Sequence, residues 1–386
     1  MSSNKIGTPV VSSGRLLRAA IPALFFLLGV VYATWASRLP ALRDALQLDP
    51  ATLGTVLLGS GIGAVCSFPI AAWLVGHYGA RQAALLSGIW LLLVLPVLAL
   101  LPNWPLLMFG LFCLGAGTSS FDVAINALGA EQEREAGRSL MSMLHAWFCV
   151  GTFGGALLGS AAAGAELAPW LHFVLVAVVL TGVLLVAWKI LPCDAPDPEL
   201  GRKHFALPHG ALVWLGMIAF LGAIAEGSLT NWISLYMSDH LHASEALAPL
   251  AYAAFAGAML VARWLGDGLK ERYGAARLVA GSSVLAVVGL LVAIFAPAIA
   301  VAVLGFALAG LGVAAVFPVI FSAAGREGAA ALAGVATLGY TGALMGPPVM
   351  GYMVHGFGLQ AGLGLLAATC LGVAVAASRS RLLREA

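Results

Sequence analysis

Hydrophobic stretches of roughly 20 residues recur from one end of the chain to the other. A helix of about 20 apolar residues crosses the hydrocarbon of a bilayer, about 30 Å thick, because each residue advances it about 1.5 Å. Only 9% of the 386 residues are charged and 61% are hydrophobic, which is more apolar surface than a water-soluble protein can bury. The sequence therefore predicts an all-α integral membrane protein in a lipid bilayer. We predict twelve spans, at approximately residues 18–37, 51–75, 82–101, 105–128, 138–162, 167–188, 209–238, 245–265, 276–296, 298–324, 328–354 and 358–378.

Basic residues set the predicted orientation. Twelve spans place both termini on one side of the membrane. Of the 19 Lys and Arg residues, 17 fall at the termini or in even-numbered connections and the helix ends beside them; the exceptions are Arg38 and Arg43 after the first span. Because cytoplasmic loops are enriched in Lys and Arg, we predict a multi-pass protein of the plasma (inner) membrane with both termini in the cytoplasm. The first span is too long for a signal-peptide core and has no cleavage site after it, so we interpret it as retained.

The longest polar break in the chain divides the spans into two sets of six. It reads KILPCDAPDPELGRKHFALPHG at residues 189–210 and is rich in proline. We therefore predict a first half over residues 1–188, a cytoplasmic linker over 189–208 and a second half over 209–386.

Matching segments in the two sets indicate an internal repeat. WLVGHYGARQ after the second span corresponds to LKERYGAARL after the eighth, which places Gly79 195 positions before Gly274. ATWAS and TNWIS place Trp35 197 positions before Trp232, and GTFGGALLG in the fifth span corresponds to GALMGPPVMG in the eleventh. Repeated halves are typical of secondary transporters, which bind substrate between the repeats near the membrane midplane.

Asp122 and Glu226 are the acidic residues that lie well inside predicted spans. A carboxylate there costs on the order of 3 kcal/mol on insertion scales, so it needs a partner or water and indicates function by default. In the fourth span, Thr118, Ser119 and Asn126 share one helical arc with Asp122 at about 100° per residue. His145 lies at a similar depth in the fifth span. We predict that Asp122 and His145 relay protons and that Asn126 contacts the substrate.

Glu226 lies near the midplane of the seventh span. It shares a polar arc of roughly 140° with Thr230, Asn231 and Ser234. We predict that Glu226 takes up and releases the coupling proton and that Thr230 and Asn231 contact the substrate. Trp232 and Trp35, related by the repeat, are predicted to flank the substrate as apolar plates of the kind that stack on sugar faces.

Purely structural roles for these residues remain open. Asp122 with Asn126, or Glu226, could join helices through hydrogen bonds, which in membranes are worth about 0.6 kcal/mol on average and need no substrate. His145 is as consistent with a packing donor as with a relay.

The sequence lacks the motifs of enzymes and of ATP-driven pumps. No GxxxxGK[ST] occurs, and GSGIG at residues 59–63 lies inside an apolar span with no strand before it. No nucleophile stands with a base in a known motif, and the cysteine spacing does not suit a metal. We therefore expect no catalytic residue, metal, cofactor or nucleic-acid partner, and transport that draws on a gradient or runs downhill.

Several motifs resemble one transporter family. RWLGDGLKERYGAAR, from Arg263 to Arg277, is similar to the loop motif between the second and third helices of each half in the major facilitator superfamily. SSFDVAINALGAEQER, AEGSLTNWISLYMSD and GYTGALMGPPVMGYM resemble the fucose-permease-like branch and its YbjJ-type members. The chain departs from these patterns at Gly76, where the loop motif has Asp, and at Asn231, where the branch leads us to expect Asp.

The resemblance implies a monomeric twelve-helix transporter that alternates access to a small-molecule substrate. It favours proton-coupled symport of a sugar or similar hydroxylated metabolite, with proton-antiport efflux of small organic compounds as the alternative. A non-transporting sensor or scaffold is a third possibility, which predicts no ligand-sized polar cavity between the halves. Because Asp267 is retained where the first-half loop has Gly76, we also predict a cytoplasmic ionic latch in the second half only, from Asp267 to Arg326 or Arg277.

Overall fold

The computed structural model describes residues 13–136, 140–192 and 210–384. Eleven of its described segments are long and apolar enough to cross a membrane, and α12, with 29 residues, is a further long segment. The predicted all-α architecture with twelve spans is confirmed. The helices within the described ranges are α1 Ser13–Ala45, α2 Pro50–Tyr78, α3 Ala80–Leu98, α4 Trp104–Ala136, α5 Met141–Gly164, α6 Pro169–Ile190, α7 Leu212–Asp239, α8 Ala248–Tyr273, α9 Ala275–Ile294, α10 Ile299–Val313, α11 Val316–Arg326, α12 Ala329–Phe357, α13 Leu359–Arg379 and α14 Arg381–Arg384.

The first helix is longer than its apolar stretch. Arg38 and Arg43 lie inside α1, so the expectation that they follow the first span is wrong. Both guanidinium groups have partners: Arg38 donates to the backbone carbonyl of Leu167 at 2.6 Å, and Arg43 donates to the carboxylate of Asp239. The helix therefore continues to Ala45, beyond the residues that apolarity alone would include, although Arg38 Nε and Nη1 are buried without a hydrogen-bond partner among the described residues.

The tenth span is formed by two helices, α10 and α11. They are separated by a turn at Ala314 and Ala315. Pro318 explains the position of the turn, since proline has no N–H to donate to the carbonyl of Ala314 and its ring clashes with that carbonyl in a continuous helix.

The helices form two groups with the same contact pattern. In the first group, α1 packs on α5 and α6, α2 packs on α4, and α3 packs on α4 and α6. In the second group, α7 packs on α12 and α13, α8 packs on α10, and α9 packs on α10 and α13. The groups meet where α2 contacts α12, α5 contacts α8 and α1 contacts α7. The linker predicted over residues 189–208 lies outside the described residues from residue 193 onward.

Glycines allow two close helix contacts. A Cβ on Gly29 of α1 would lie 2.1 Å from the carbonyl oxygen of Phe148 on α5, and one on Gly151 of α5 would lie 2.2 Å from the carbonyl oxygen of Phe26. Between the two groups, a Cβ on Gly54 of α2 would lie 2.8 Å from the Cα of Gly351 on α12. Only hydrogen atoms fit at these positions, so the backbones pack directly on each other.

One end of the molecule is held together by polar contacts between the groups. We call the end where α1 begins and α13 ends the terminal face, and the other end the opposite face. At the opposite face, Arg43 of α1 binds Asp239 of α7. Close by, the hydroxyl of Ser160 on α5 donates to the carbonyl oxygen of Ala246, before α8, at 2.5 Å. These bonds close the opposite face between the two groups.

Candidate functional site

A cavity of about 470 Å³ lies between the two helix groups. Its size is within the range of roughly 300–1,000 Å³ that is usual for small-molecule sites. The wall is largely apolar and aromatic, with polar side chains from both groups. A ligand-sized cavity with polar groups argues against the scaffold alternative, which predicts none. The polar and ionisable side chains of the wall include Tyr32, Ser60, Thr118, Ser119, Asp122, His145, Thr152, Glu226, Thr230, Asn231, Tyr252, Arg263 and Tyr340.

An ion pair joins α7 to α8 in the wall of this cavity. Arg263 Nη2 donates to Glu226 Oε1 at 3.2 Å, and Arg263 Nη1 contacts the sulfur of Cys149 on α5 at 2.9 Å. Glu226 Oε2 and Arg263 Nε are buried and have no hydrogen-bond partner within the described residues. The pair therefore uses one oxygen of the carboxylate and leaves one buried acceptor, which can take a proton, and one buried donor.

Helical spacing brings these two charges together. Residues of α7 that line the cavity fall on one face that includes Glu226, Thr230 and Asn231. On α8, Tyr252, Ala256, Met259 and Arg263 recur every three or four residues along the cavity wall, and Arg263 stands last. The predictions that Glu226, Thr230 and Asn231 face this space agree with the geometry. Their substrate and proton roles stay predictions.

Local hydrogen bonds fix the polar side chains next to Glu226. The Thr230 hydroxyl donates to the backbone carbonyl of Glu226 at 3.0 Å. The Asn231 amide donates to the backbone carbonyl of Gly227 at 2.9 Å. The amide oxygen of Asn231 is left for a ligand, and the Thr230 hydroxyl, which also pairs with the hydroxyl of Tyr252, keeps one lone pair.

Asp122 occupies a separate part of the wall. Its carboxylate accepts a hydrogen bond from the Asn126 amide at 3.0 Å, and the same amide donates to the Asp122 backbone carbonyl at 2.8 Å. Asn126 itself is not among the cavity-lining residues, so it positions Asp122 and does not itself face the space. Tyr32 and Tyr340 lie close enough to Asp122 for their hydroxyls to interact with it electrostatically.

Asp122 and His145 share the cavity wall without a direct hydrogen bond or ion pair between them among the described residues, and their relay role stays a prediction. His145 instead packs edge-on against the ring of Phe25, with the ring centroids 5.2 Å apart. The reason is that α1 packs closely on α5 and places this aromatic ring against the imidazole.

The two symmetry-related tryptophans have different surroundings. Trp35 lines the cavity, as predicted. Trp232 does not: it is 1% exposed in the hydrophobic core, and its Nε1 has no partner among the described residues. At about 100° per residue, the lining positions of α7 cover an arc from Glu226 at 0° to Asn231 at about 140°. Trp232 lies at about 240°, roughly 100° outside that arc. The prediction that Trp232 flanks the substrate is therefore wrong.

The predicted cytoplasmic latch involves Asp267, whose side chain lies outside the described residues. Arg277 and Arg326 are both exposed at the terminal face. The latch stays a prediction.

Arg263 is the site residue that sequence reasoning missed. In the sequence it opens the loop motif, and it falls two residues inside the eighth predicted span. A count of basic residues within spans, parallel to the count of acidic ones, would have found it.

A comparison with protein families identifies the chain. The sequence profile of the Major Facilitator Superfamily matches residues 21–326 and 215–386. The chain belongs to this superfamily. It is a multi-pass membrane transporter and not an enzyme, and the superfamily implies a small-molecule substrate.

Curated relatives cover almost the whole protein. The chain is 34% identical over 343 residues to the uncharacterized transporter y4wD of Sinorhizobium fredii, covering 87% of this chain and 90% of the relative. It is 32% identical over 379 residues to an uncharacterized MFS-type transporter of Yersinia pestis, covering 97% and 98%.

Solved structures share the fold at low identity. A D-xylose–proton symporter aligns with a TM-score of 0.78 and 14% identity, covering 96% of this chain and 98% of that one. The outward structure of FucP aligns with a TM-score of 0.62 and 16% identity, covering 93% and 97%. At these identities the likeness shows the fold alone, and membership of the fucose-permease-like branch stays a prediction.

Proposed function

We propose that this major facilitator is a proton-coupled symporter for a sugar or similar hydroxylated metabolite. The observation that carries the proposal is the Glu226 carboxylate, which lines the cavity and, among the described residues, is bonded to Arg263 through one of its two oxygens. An ionisable group in the membrane is costly and is a functional-site hypothesis by default. The second oxygen of this carboxylate is buried and has no hydrogen-bond partner among the described residues, so it is a place for a proton to bind.

The ion pair supplies a two-state element. With Glu226 ionised, its charge and that of Arg263 compensate each other within the protein. When a proton binds the carboxylate, the charge–charge attraction is lost and Arg263 becomes available to other acceptors. Substrate and proton thereby act on the same cluster of side chains, which is the condition for coupling the two fluxes.

The remaining wall fits a solute that is both hydroxylated and partly apolar. Thr230 and Asn231 offer acceptors beside Glu226, and Trp35 offers an aromatic face. We propose that Asp122, held by Asn126, is a second protonatable group. His145 is then a polar contact on the wall and not a direct partner of Asp122.

The same proposal includes the orientation of the protein in the membrane and the motion of its two halves. The two halves, residues 1–188 and 209–386, rock about the cavity, and both termini lie in the cytoplasm. The closed opposite face, with Arg43 bound to Asp239, is then the outer side of the plasma membrane. We expect the protein to work as a monomer, since both groups that line the cavity belong to one chain.

Glu226→Gln tests the coupling. Purified protein is reconstituted into proteoliposomes and assayed with neutral sugars and hydroxylated acids under an imposed inward proton gradient. We expect wild type to accumulate at least one solute. The Gln variant should lose accumulation but keep exchange of the same solute, because its amide resembles the protonated carboxyl and cannot release a proton. Glu271→Gln, at an exposed position of α8, is the matched control and should accumulate as wild type does.

Two results would contradict the proposal. If the Gln variant still concentrates solute, Glu226 is not the coupling residue and Asp122→Asn becomes the next test. If wild type concentrates solute inside the vesicles only when the imposed proton gradient is directed outward, protons and solute move in opposite directions and the protein is an antiporter.

A further inference from the structure

We infer, resting on the proton-coupled transport proposed above, that the transported solute carries a single carboxylate, which binds Arg263 once Glu226 is protonated. The solute class is a small hydroxylated monocarboxylic acid.

The first step is charge balance at the pair. The cationic partner of Glu226 is Arg263, at 3.2 Å. A neutral sugar that binds with a proton leaves the Arg263 guanidinium inside the membrane without a counter-ion, and an unpaired buried cation is strongly unfavourable. A carboxylate restores the balance, because it takes the place that the Glu226 charge has left. Arginine is also suited to this exchange, since its planar fork binds carboxylates through two parallel hydrogen bonds.

The second step is that Arg263 has donors to offer. Its Nε is buried and has no partner within the described residues, and its side chain forms part of the cavity wall. Nη1 is occupied by the sulfur of Cys149, a weak acceptor. The guanidinium is therefore held in position but is not saturated by strong acceptors.

The third step concerns the other ionisable groups near Arg263. Those that interact with it are Glu226 on α7 and Cys149 and His145 on α5. Asp122 interacts instead with Tyr32 and Tyr340, on another part of the wall. The carboxylate that would repel an anion at Arg263 is therefore Glu226, and protonation of Glu226 removes that charge.

The number of cations limits the charge of the solute. Among the cavity-lining residues of the described chain, Arg263 is the one Lys or Arg. A dicarboxylate or a phosphate ester would bring a second negative charge without a cation to receive it. A monocarboxylate matches the single guanidinium, while Thr230 and Asn231 beside the pair leave acceptors for hydroxyl groups.

This pairing has a measurable electrical consequence. One proton carried with one monoanion moves no net charge across the membrane, whereas one proton carried with a neutral sugar moves one positive charge. Accumulation of the acid should therefore follow the pH gradient and ignore the membrane potential. A neutral sugar would also respond to the potential.

Binding measurements on the purified protein test the inference directly. The acids are D-gluconate, D-glucuronate and D-glycerate, and the neutral counterparts are D-glucose and glycerol. We expect at least one acid to bind wild type about tenfold more tightly at about pH 5.5 than at about pH 8. A tenfold difference in affinity is about what one charge-assisted hydrogen bond contributes. Glu226→Gln should bind that acid at both pH values with the tighter affinity. This gain cannot arise from misfolding.

Variants of Arg263 complete the test. Arg263→Gln should weaken binding of the acid by about tenfold or more, and Arg263→Lys should recover part of the loss. Arg272→Gln, an exposed arginine of the same helix, is the matched control. Binding of a neutral sugar with equal affinity in wild type and Arg263→Gln would overturn the inference, and so would a failure of every acid to bind.

The two proposals fail in different ways. If neutral sugars are accumulated and Glu226→Gln abolishes that accumulation, the carboxylate inference is wrong and the proton-coupling role of Glu226 stands. If Glu226→Gln still accumulates an acid, the coupling role is wrong whatever the acid binds.

Discussion

Arg43 and Asp239 lie 196 positions apart and are joined by two hydrogen bonds from the guanidinium of one to the carboxylate of the other. Trp35 and Trp232 lie 197 positions apart in the predicted repeat. The two residues of the ion pair therefore occupy nearly equivalent positions in the two halves and carry opposite charges. The last turns of α1 and α7 are tied together where they end at the opposite face.

Loss of this pair should open the opposite face more often. The side chains are only 15% and 29% exposed, so the pair is better shielded than a surface salt bridge. We expect Arg43→Ala to raise the rate at which an impermeant maleimide labels a cysteine placed at the cavity-lining position Ala64 by about fivefold, which corresponds to about 1 kcal/mol. Labelling is measured from the outer side of oriented vesicles.

A charge exchange and a surface pair provide the controls for this experiment. The double variant Arg43→Asp with Asp239→Arg should return labelling toward the wild-type rate. Arg134→Ala, which removes the exposed pair with Glu131 on α4, should leave it unchanged. Equal labelling in wild type and Arg43→Ala would show that the pair does not hold the face closed.

Two glycines of α5 should respond in opposite ways to the same substitution. A Cβ at Gly151 would lie 2.2 Å from the carbonyl oxygen of Phe26, whereas a Cβ at Gly154 would have no atom within 4 Å. We expect Gly151→Ala to lower stability by about 1–3 kcal/mol because the α1–α5 contact must separate. Gly154→Ala should be neutral or stabilising by up to about 1 kcal/mol, since alanine favours helix. Melting in detergent measures both, and equal melting temperatures would contradict the packing described.

We expect the stability of the N-terminus of α2 to depend on pH, because Asp49 caps it. The hydroxyl of Thr52 donates to its carboxylate at 2.5 Å, and the backbone N–H groups of Ala51 and Thr52 also donate. These bonds, that of the Thr52 hydroxyl first, hold the pKa of Asp49 below its ordinary value of 3.8. The cap is therefore fully stabilising above that ordinary value and is lost as the pH falls through the lower pKa of the folded protein.

Asp49→Asn keeps a capping side chain but removes the carboxylate, together with the exposed ion pair of its Oδ1 with His355 Nδ1 at 3.3 Å. Asparagine caps helices about as well as aspartate, so the variant should match wild type near neutral pH to within about 1 kcal/mol. As the pH falls below the ordinary value of 3.8, wild type should lose stability relative to the variant. The difference in melting temperature, followed from about pH 6 to about pH 3, checks the sign, and a constant difference would contradict it.

Substitutions of Trp35 and Trp232 should distinguish a residue that contacts the substrate from one that packs in the core. Trp35→Ala removes an aromatic face from the cavity wall and should raise the KM of transport by about five- to tenfold, a typical loss for an aromatic contact of about 1–1.5 kcal/mol. Trp232→Phe should leave KM unchanged, because Trp232 lies outside the cavity. A larger effect on KM at Trp232 than at Trp35 would contradict the assignment.

The features that the sequence predicted well are those that depend on one helix at a time. The spans follow from the length of apolar stretches, and the common face of Glu226, Thr230 and Asn231 follows from helical periodicity. Relations between helices were less accessible. The bond from Arg263 to Glu226 depends on how α8 is placed against α7, and the contact of His145 with Phe25 depends on α1 packing on α5. The repeat pairs Trp232 with Trp35, but the angle of Trp232 on α7 places it outside the arc that lines the cavity.

Gly54 and Gly351 give the contact between α2 and α12 a mechanical property. The two backbones touch without intervening side chains, with the Cα of Gly351 at 2.8 Å from the place of a Gly54 Cβ. Interdigitated side chains must change rotamer before one helix can turn on another. Where glycine backbones touch directly, there are no side chains that must do so. The contact fixes how far apart the helices stand at this point, so in the rocking motion proposed above it can serve as a fulcrum, while the rings of Phe68 on α2 and Tyr340 on α12, 4.9 Å apart, must repack as the closed face tilts.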